Sequence, residues 1–236
     1  MTETAHPSRP LALAELLVFV GFAIGSKLIA DQIIWKFAGP ITLITTLILL
    51  TAYMAWRGES WSGMGLRRVP GWKSKLLILP QTLLAMVGIL GLGVGIGFAG
   101  EAAGFWSMSE EPAGVADRFA GIEGNLAVYL TWMAVIWTSA AFGEEMFFRG
   151  FLITRFTAAF RGIPLAPALA VVAAALVFGY GHFYYQGIRG LVITGTIGIV
   201  LGTLFLVYKR NLWPLILAHG LIDTIGMTAR YLDLDV

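Results

Sequence analysis

Apolar residues run along this chain in long blocks, and polar ones are confined to short breaks between them. A membrane-spanning helix needs about 20 predominantly apolar residues. Blocks of that length predict spans from about Leu11 to Ala30, Ala38 to Trp56 and Leu76 to Ala99. A fourth starts near Leu126 and runs into an acidic stretch at Glu144. Three more follow, from about Leu165 to His182, Ile188 to Tyr208 and Leu212 to Thr228. Phe147 to Phe160 reads as a shorter, amphipathic eighth element, with Arg149, Arg155 and Arg161 among Phe, Leu and Ile. The pattern predicts an all-α chain, a polytopic membrane helical bundle of seven to eight transmembrane helices. It forms a single domain over residues 1–236, placed in the cell membrane as a multi-pass protein.

Composition agrees. The 236 residues are 58% hydrophobic and 13% charged, against roughly 45–50% and about 25% in soluble domains. A net charge of +2 without a basic tract gives nucleic acid no footing. The absence of Cys excludes disulfides, thiolate nucleophiles and Cys-based metal sites. The N-terminal "MTETAHPSRP" lacks a basic segment, and the first apolar run reads as a retained span rather than a signal peptide. Arg57, Arg67, Arg68, Lys73 and Lys75 fall between spans two and three, whereas Glu101, Glu110, Glu111, Asp117 and Glu123 fall between spans three and four. Lys and Arg favour the cytoplasmic side, which places 57–75 inside and 100–125 outside. Lys209 and Arg210 then also fall inside, and an odd number of spans leaves the C-terminus outside.

Glycine marks close packing. "GLGVGIGFAG" contains a GxGxxG string, but no strand precedes it and it lies in an apolar span, so it is no dinucleotide loop. Gly91/Gly95, Gly93/Gly97 and Gly198/Gly202 have the small-xxx-small spacing of helices that approach closely in lipid.

Ionisable groups inside a span are costly and are functional candidates by default. The C-terminal half holds Glu144, Glu145, Arg149, His182, His219 and Asp223 in or beside its apolar blocks. Glu145 and Arg149 are four apart with the acid first, the favourable order for an ion pair. Glu144, turned about 100° from its neighbour on an α-helix, lacks that partner and is the free carboxylate, suited to general acid–base work. His219 and Asp223 share a face of span seven, and His182 follows Phe178 at the same spacing on span five. Each pattern alone has a plain structural reading: a clamp, an interfacial histidine, a packing pair. Their coincidence on three helices of a sparsely charged chain favours one shared, water-filled site. His6, in the polar tail, has no such setting. Counting residues leaves a conflict: Glu144 lies roughly 27 Å along span four at 1.5 Å per residue, near the inner face, while His182 lies outward along span five. Bringing them together requires a longer, tilted span or a re-entrant stretch over 147–163.

"EEMFFR" (Glu144 to Arg149), "FGYGH" (Phe178 to His182) and "HGLID" (His219 to Asp223) occur in the order EExxxR, FxxxH, HxxxN/D. With the flanking "GFL" and "NLWPLILAHGLID", this set resembles the CAAX-protease and bacteriocin-processing (CPBP, Abi) family of intramembrane proteases. The resemblance covers about residues 140–225, within a protease-like core of about 126–228; the first 125 residues carry no such motif. It implies an endopeptidase that cleaves near the C-terminus of prenylated proteins in eukaryotes and is associated in bacteria with peptide processing or bacteriocin immunity. Carried over, Glu144 is the base that activates water, His182 helps hold that water, and His219 with residue 223 stabilises the oxyanion. Glu145, Arg149 and Phe178 support the site. Asp223 stands where the best-known members have Asn. An amide donates to an oxyanion, whereas an Asp there either carries its proton or orients His219.

The implied function is an intramembrane endopeptidase acting near the cytoplasmic side, with a peptide or protein substrate, the lipid bilayer as surroundings and no cofactor. Substrates are membrane-associated, prenylated-type or leader-bearing. The metal alternative is Zn²⁺ on Glu144, His182, His219 and Asp223, a plausible N/O ligand set. A membrane scaffold or immunity protein that binds a peptide without cutting it is the second reading. A proton-coupled carrier is the third, though no inverted repeat supports it. HExxH, GxGD and GxSxG are absent, and Ser139 has no evident base. Nothing in the sequence sets an oligomeric state.

Overall fold

The computed structural model describes residues 7–234, so His6 lies outside the described residues. The chain is all-helical, 81% helix with no strand among the described residues. In an apolar solvent every backbone N–H and C=O must be satisfied within the segment, and helices do this. Helix α1 (Arg9–Ile34) is joined by a single tight turn, Trp35–Phe37, to α2 (Ala38–Trp56). After the short α3 (Gly71–Leu76) come α4 (Ile78–Ala102) and the short α5 (Ala113–Arg118). Then α6 (Leu126–Val135), a π-helix (Ile136–Leu152) and α7 (Ile153–Ala159) form one unbroken run. Helices α8 (Ala166–Val207) and α9 (Trp213–Tyr231) close the bundle. Proline sits at the start of α1, α8 and α9, where its missing N–H would be unpaired anyway. Asn125 caps α6 by accepting from the Val128 N–H.

Four stretches are long and apolar enough to cross a membrane: Arg9–Trp56, Gly71–Ala102, Leu126–Ala159 and Ala166–Val207. They do not by themselves give seven or eight crossings. The first folds back at Trp35–Phe37, and the last turns at Gly187, the one non-helical residue inside α8, with φ 64° and ψ −155°. Only glycine reaches that region without strain. Beyond the turn the two arms of α8 pack antiparallel. A β-carbon on Gly198 would stand 3.0 Å from the Ala175 Cα, and one on Gly202 2.8 Å from a Val171 methyl.

Gly93 and Gly97 also face neighbours, with Ile197 and Ile193 opposite. Gly91 and Gly95 do not: nothing stands within 4 Å of a β-carbon there. The small-xxx-small spacing therefore marks packing at two of its three occurrences, because only one face of α4 meets α8.

Loops gather at two ends. At one, the Leu212 N–H donates to the Gly65 carbonyl, Trp213 Nε1 to Arg67, and Arg161 to Pro7. This end holds Arg57, Arg67, Arg68, Lys73 and Lys75. At the other, Trp35 Nε1 donates to Asp117, Arg118 to the Lys36 carbonyl, Arg189 to the Ser107 and Glu110 carbonyls, and the Gly124 N–H to Tyr231. The acidic 101–123 segment and the end of α9 lie here. The core between them is built from Leu50, Phe147, Phe151, Leu201, Phe205 and Leu215, all buried.

Residues 147–160 are not a separate amphipathic element. They complete the π-helix and α7 in the middle of the bundle, and Arg149 and Arg155 are fully buried. Arg155 forms ion pairs of 2.5 Å with Glu15 of α1 and with Glu59, and the Tyr53 hydroxyl donates to Glu15. This buried network joins the N-terminal helices to the motif-bearing run.

Candidate active site

Glu144 and Glu145 sit in the π-helix. Its i→i+5 bonding winds more residues into each turn than an α-helix does. Chain neighbours therefore diverge by less than the 100° expected for an α-helix, and both glutamates face α9. Such windings are rare and occur frequently at functional sites.

Glu145 is 0% exposed. Its Oε1 accepts from Arg149 Nη1 at 2.9 Å and from His219 Nδ1 at 2.9 Å. The predicted ion pair is thus also the holder of His219. Arg149 packs its guanidinium 4.4 Å from the centre of the Phe178 ring, and the same ring lies 4.8 Å from the His182 ring. Phe178 is a spacer that relates the arginine to the second histidine. His182 Nδ1 lies 2.9 Å from the Phe178 carbonyl. A carbonyl can only accept, so Nδ1 carries the proton, and in the neutral ring Nε2 is left as an acceptor.

Glu144 has no hydrogen-bond partner among the described residues, and its side chain keeps 20% exposure. Its Oε2 stands 3.9 Å from His219 Nε2, with Asp223 Oδ2 at 3.5 Å from the same nitrogen. His219 is therefore fixed through one nitrogen and presents the other to two carboxylates.

Glu144, His182, His219 and Asp223 line one cavity of about 590 Å³, a usual size for a ligand site. Its walls are mainly apolar and include Val20, Leu43, Ile89, Val177 and Leu201. The depth conflict disappears because the fourth span does not stop at the glutamates. The helical run continues to Ala159, so Glu144 lies about as far from the 160–165 turn as His182 does on the other side. The longer span, not a re-entrant segment, brings them level.

The cavity reaches Lys27, Gly39, Arg118, Tyr184 and Arg230, and receives no residue from 57–77, 160–165 or 208–212. It extends towards the end that carries the acidic segment. On the charge pattern that is the outer end, which goes against cleavage near the cytoplasmic side.

Among the described residues no three His, Asp or Glu side chains are placed to hold a metal ion. His219 Nδ1 and His182 Nδ1 are both turned to protein acceptors, and the four-residue Zn²⁺ set is not assembled in this arrangement.

Residues 126–225 match the family model described as type II CAAX prenyl endopeptidase Rce1-like. That segment belongs to this family. No curated protein and no solved structure matches the chain. At the level of the Rce1-like family, the protein is a CAAX-protease-type membrane endopeptidase. The Rce1-like segment holds Glu144, Glu145, Arg149, Phe178, His182, His219 and Asp223, whereas half the cavity wall comes from outside it.

Sequence reasoning missed those outside contributors. Lys27 and Arg118 line the cavity, and Glu15 partners Arg155. Glu15 and Lys27 carried the same signal as the motif residues, a charge in an apolar block. Arg118 carried none, since it follows a polar loop and is brought to the cavity only by the fold.

Proposed function

We propose that this protein is an intramembrane endopeptidase in which Glu144 activates the attacking water. The observation that carries this is the state of Glu144: an unpaired carboxylate at a cavity wall, beside a histidine clamped by a separate acid–arginine pair. Water held between Glu144 and His182 Nε2 gives its proton to Glu144 as its oxygen attacks the scissile carbonyl carbon. His219, protonated on both nitrogens, donates from Nε2 to the oxyanion, while Glu145 and Asp223 balance its charge. The intermediate collapses, the C–N bond breaks, and Glu144 returns the proton to the leaving amine. Asp223 acts by facing His219, a role open to a carboxylate, in place of donation by an amide.

In the bilayer, α1, α2, α4, the 126–159 run, both arms of α8 and α9 make seven crossings. The reaction uses no metal. Loss of cleavage with a chelator, restored by Zn²⁺ but not Mg²⁺, would reverse that assignment.

The test compares protein termini in cells that carry the wild type or Glu144→Gln at matched membrane levels. New termini found only with the wild type are expected and would name the substrate. Equal profiles under several growth conditions would favour a scaffold or immunity protein that binds a peptide in the same cavity.

A further inference from the structure

Arg118 ends α5 and is 6% exposed, yet no carboxylate among the described residues lies within ion-pair distance of it. Asp117, its neighbour, is taken by Trp35 Nε1. Arg118 Nε donates to the Lys36 carbonyl at 3.0 Å, and neither terminal nitrogen has a hydrogen-bond partner among the described residues. Aromatic rings surround it instead: its Cζ is 4.7 Å from the Tyr185 ring centre, 5.5 Å from Trp35 and 5.8 Å from Tyr184. These faces hold a guanidinium in position but leave its hydrogen-bonding fork empty. A buried cation without a counter-ion is costly. Arg118 lines the same cavity as Glu144 and His182.

We propose that Arg118 is a specificity-determining anchor that binds the C-terminal carboxylate of the substrate peptide. This rests on the endopeptidase reading and extends it to the substrate's class: a chain cut close to its free end. The planar fork of arginine matches a carboxylate in two parallel hydrogen bonds. Spacing sets how close the cut is. The His182 ring lies 5.7 Å from the Tyr185 ring, and Arg118 lies 4.7 Å from that ring. The cation is therefore within roughly 10 Å of His182, the reach of up to three extended residues at about 3.3–3.6 Å each. The apolar walls fit apolar side chains on those residues. Arg118 lies outside the 126–225 match, so this anchor is built by the part of the chain that the family model leaves out.

Two measurements test it. The first is binding of dansyl-Leu-Val-Leu, as free acid and as C-terminal amide, to purified Glu144→Gln protein, which tests the anchor without cleavage. The acid is expected to bind at least tenfold tighter, and Arg118→Gln in that background to remove the preference while leaving the amide's affinity unchanged. Arg118→Lys, which keeps the cation, is expected to retain part of it. Equal binding of acid and amide overturns the anchor. Loss of amide binding too in Arg118→Gln, with Arg118→Lys behaving alike, overturns it in favour of a packing role. Persistence of the acid preference in phosphatidylcholine bilayers and in phosphatidylglycerol bilayers is expected. Its disappearance only in the latter would mean that a lipid phosphate takes the site, and would also overturn the assignment. The second measurement is cleavage by wild type of a longer membrane peptide ending in Leu-Val-Leu. A higher KM for the amide with kcat little changed is expected. Cleavage of both ends with one KM overturns the anchor and leaves the protease reading intact. If neither is cut although the acid binds tighter, the anchor stands and the protease reading fails for this peptide.

Discussion

Glu144 and Glu145 are chain neighbours with different tasks, and the difference is in their partners. Glu145 is fully buried and accepts from Arg149 and His219; Glu144 accepts from nothing described and faces the cavity. Replacing Glu144 by Gln removes the base without disturbing a buried pair. Cleavage is expected to fall by about 10²–10⁴-fold, the usual contribution of general acid–base catalysis, with an unchanged melting temperature in detergent. Glu145→Ala should behave in the opposite way. It leaves the Arg149 charge buried and unpartnered, which destabilises by about 3–5 kcal/mol, and it frees His219. A clear fall in melting temperature, together with lost cleavage, is the expected outcome. A variant as stable as wild type would show that Glu145 is not the holder of the site.

At the scale of elements, the turn at Gly187 decides whether α8 is one long rod or two packed arms. Its φ of 64° with ψ of −155° lies where side chains meet the backbone. Gly187→Ala is expected to destabilise the protein by about 1–3 kcal/mol, and to lower cleavage because His182 sits just before the turn. Gly95→Ala is the matched control. Its β-carbon meets nothing within 4 Å, and removing a flexible glycine from a helix interior gains roughly 0.5–1 kcal/mol. Thermal unfolding of the two variants, measured side by side, separates backbone geometry from the general effect of glycine.

Across the whole molecule, the N-terminal helices complete the site that the motifs begin. Arg155 reaches Glu15 and Glu59, and the cavity takes Val20, Lys27, Leu43 and Arg118 from the first 125 residues. Arg155→Met alone would strand two carboxylates and is expected to cost about 3–5 kcal/mol. Combining it with Glu15→Leu and Glu59→Leu should recover most of that loss, since apolar replacement of a complete buried ion group is often neutral. Residues 126–234 expressed alone are expected to yield no stable, active protein. Activity of that fragment in detergent would mean that the N-terminal helices are dispensable.

The sequence by itself determined the solvent and the chemistry. Apolar blocks of spanning length leave the backbone no stable form in lipid but the helix, and ionisable residues are too costly there to be accidental, so EEMFFR, FGYGH and HGLID stood out unaided. Helical spacing was enough to pair Glu145 with Arg149. What only the tertiary structure decided was depth, direction and company. The π winding turned both glutamates towards His219, against the angle an α-helix would impose. The run to Ala159 set Glu144 level with His182, and the fold assigned Glu15 to Arg155 and carried Arg118 from a polar loop into the cavity. Local periodicity records which face of a helix a residue occupies. It holds no record of what stands opposite, because that depends on contacts between positions far apart in the chain.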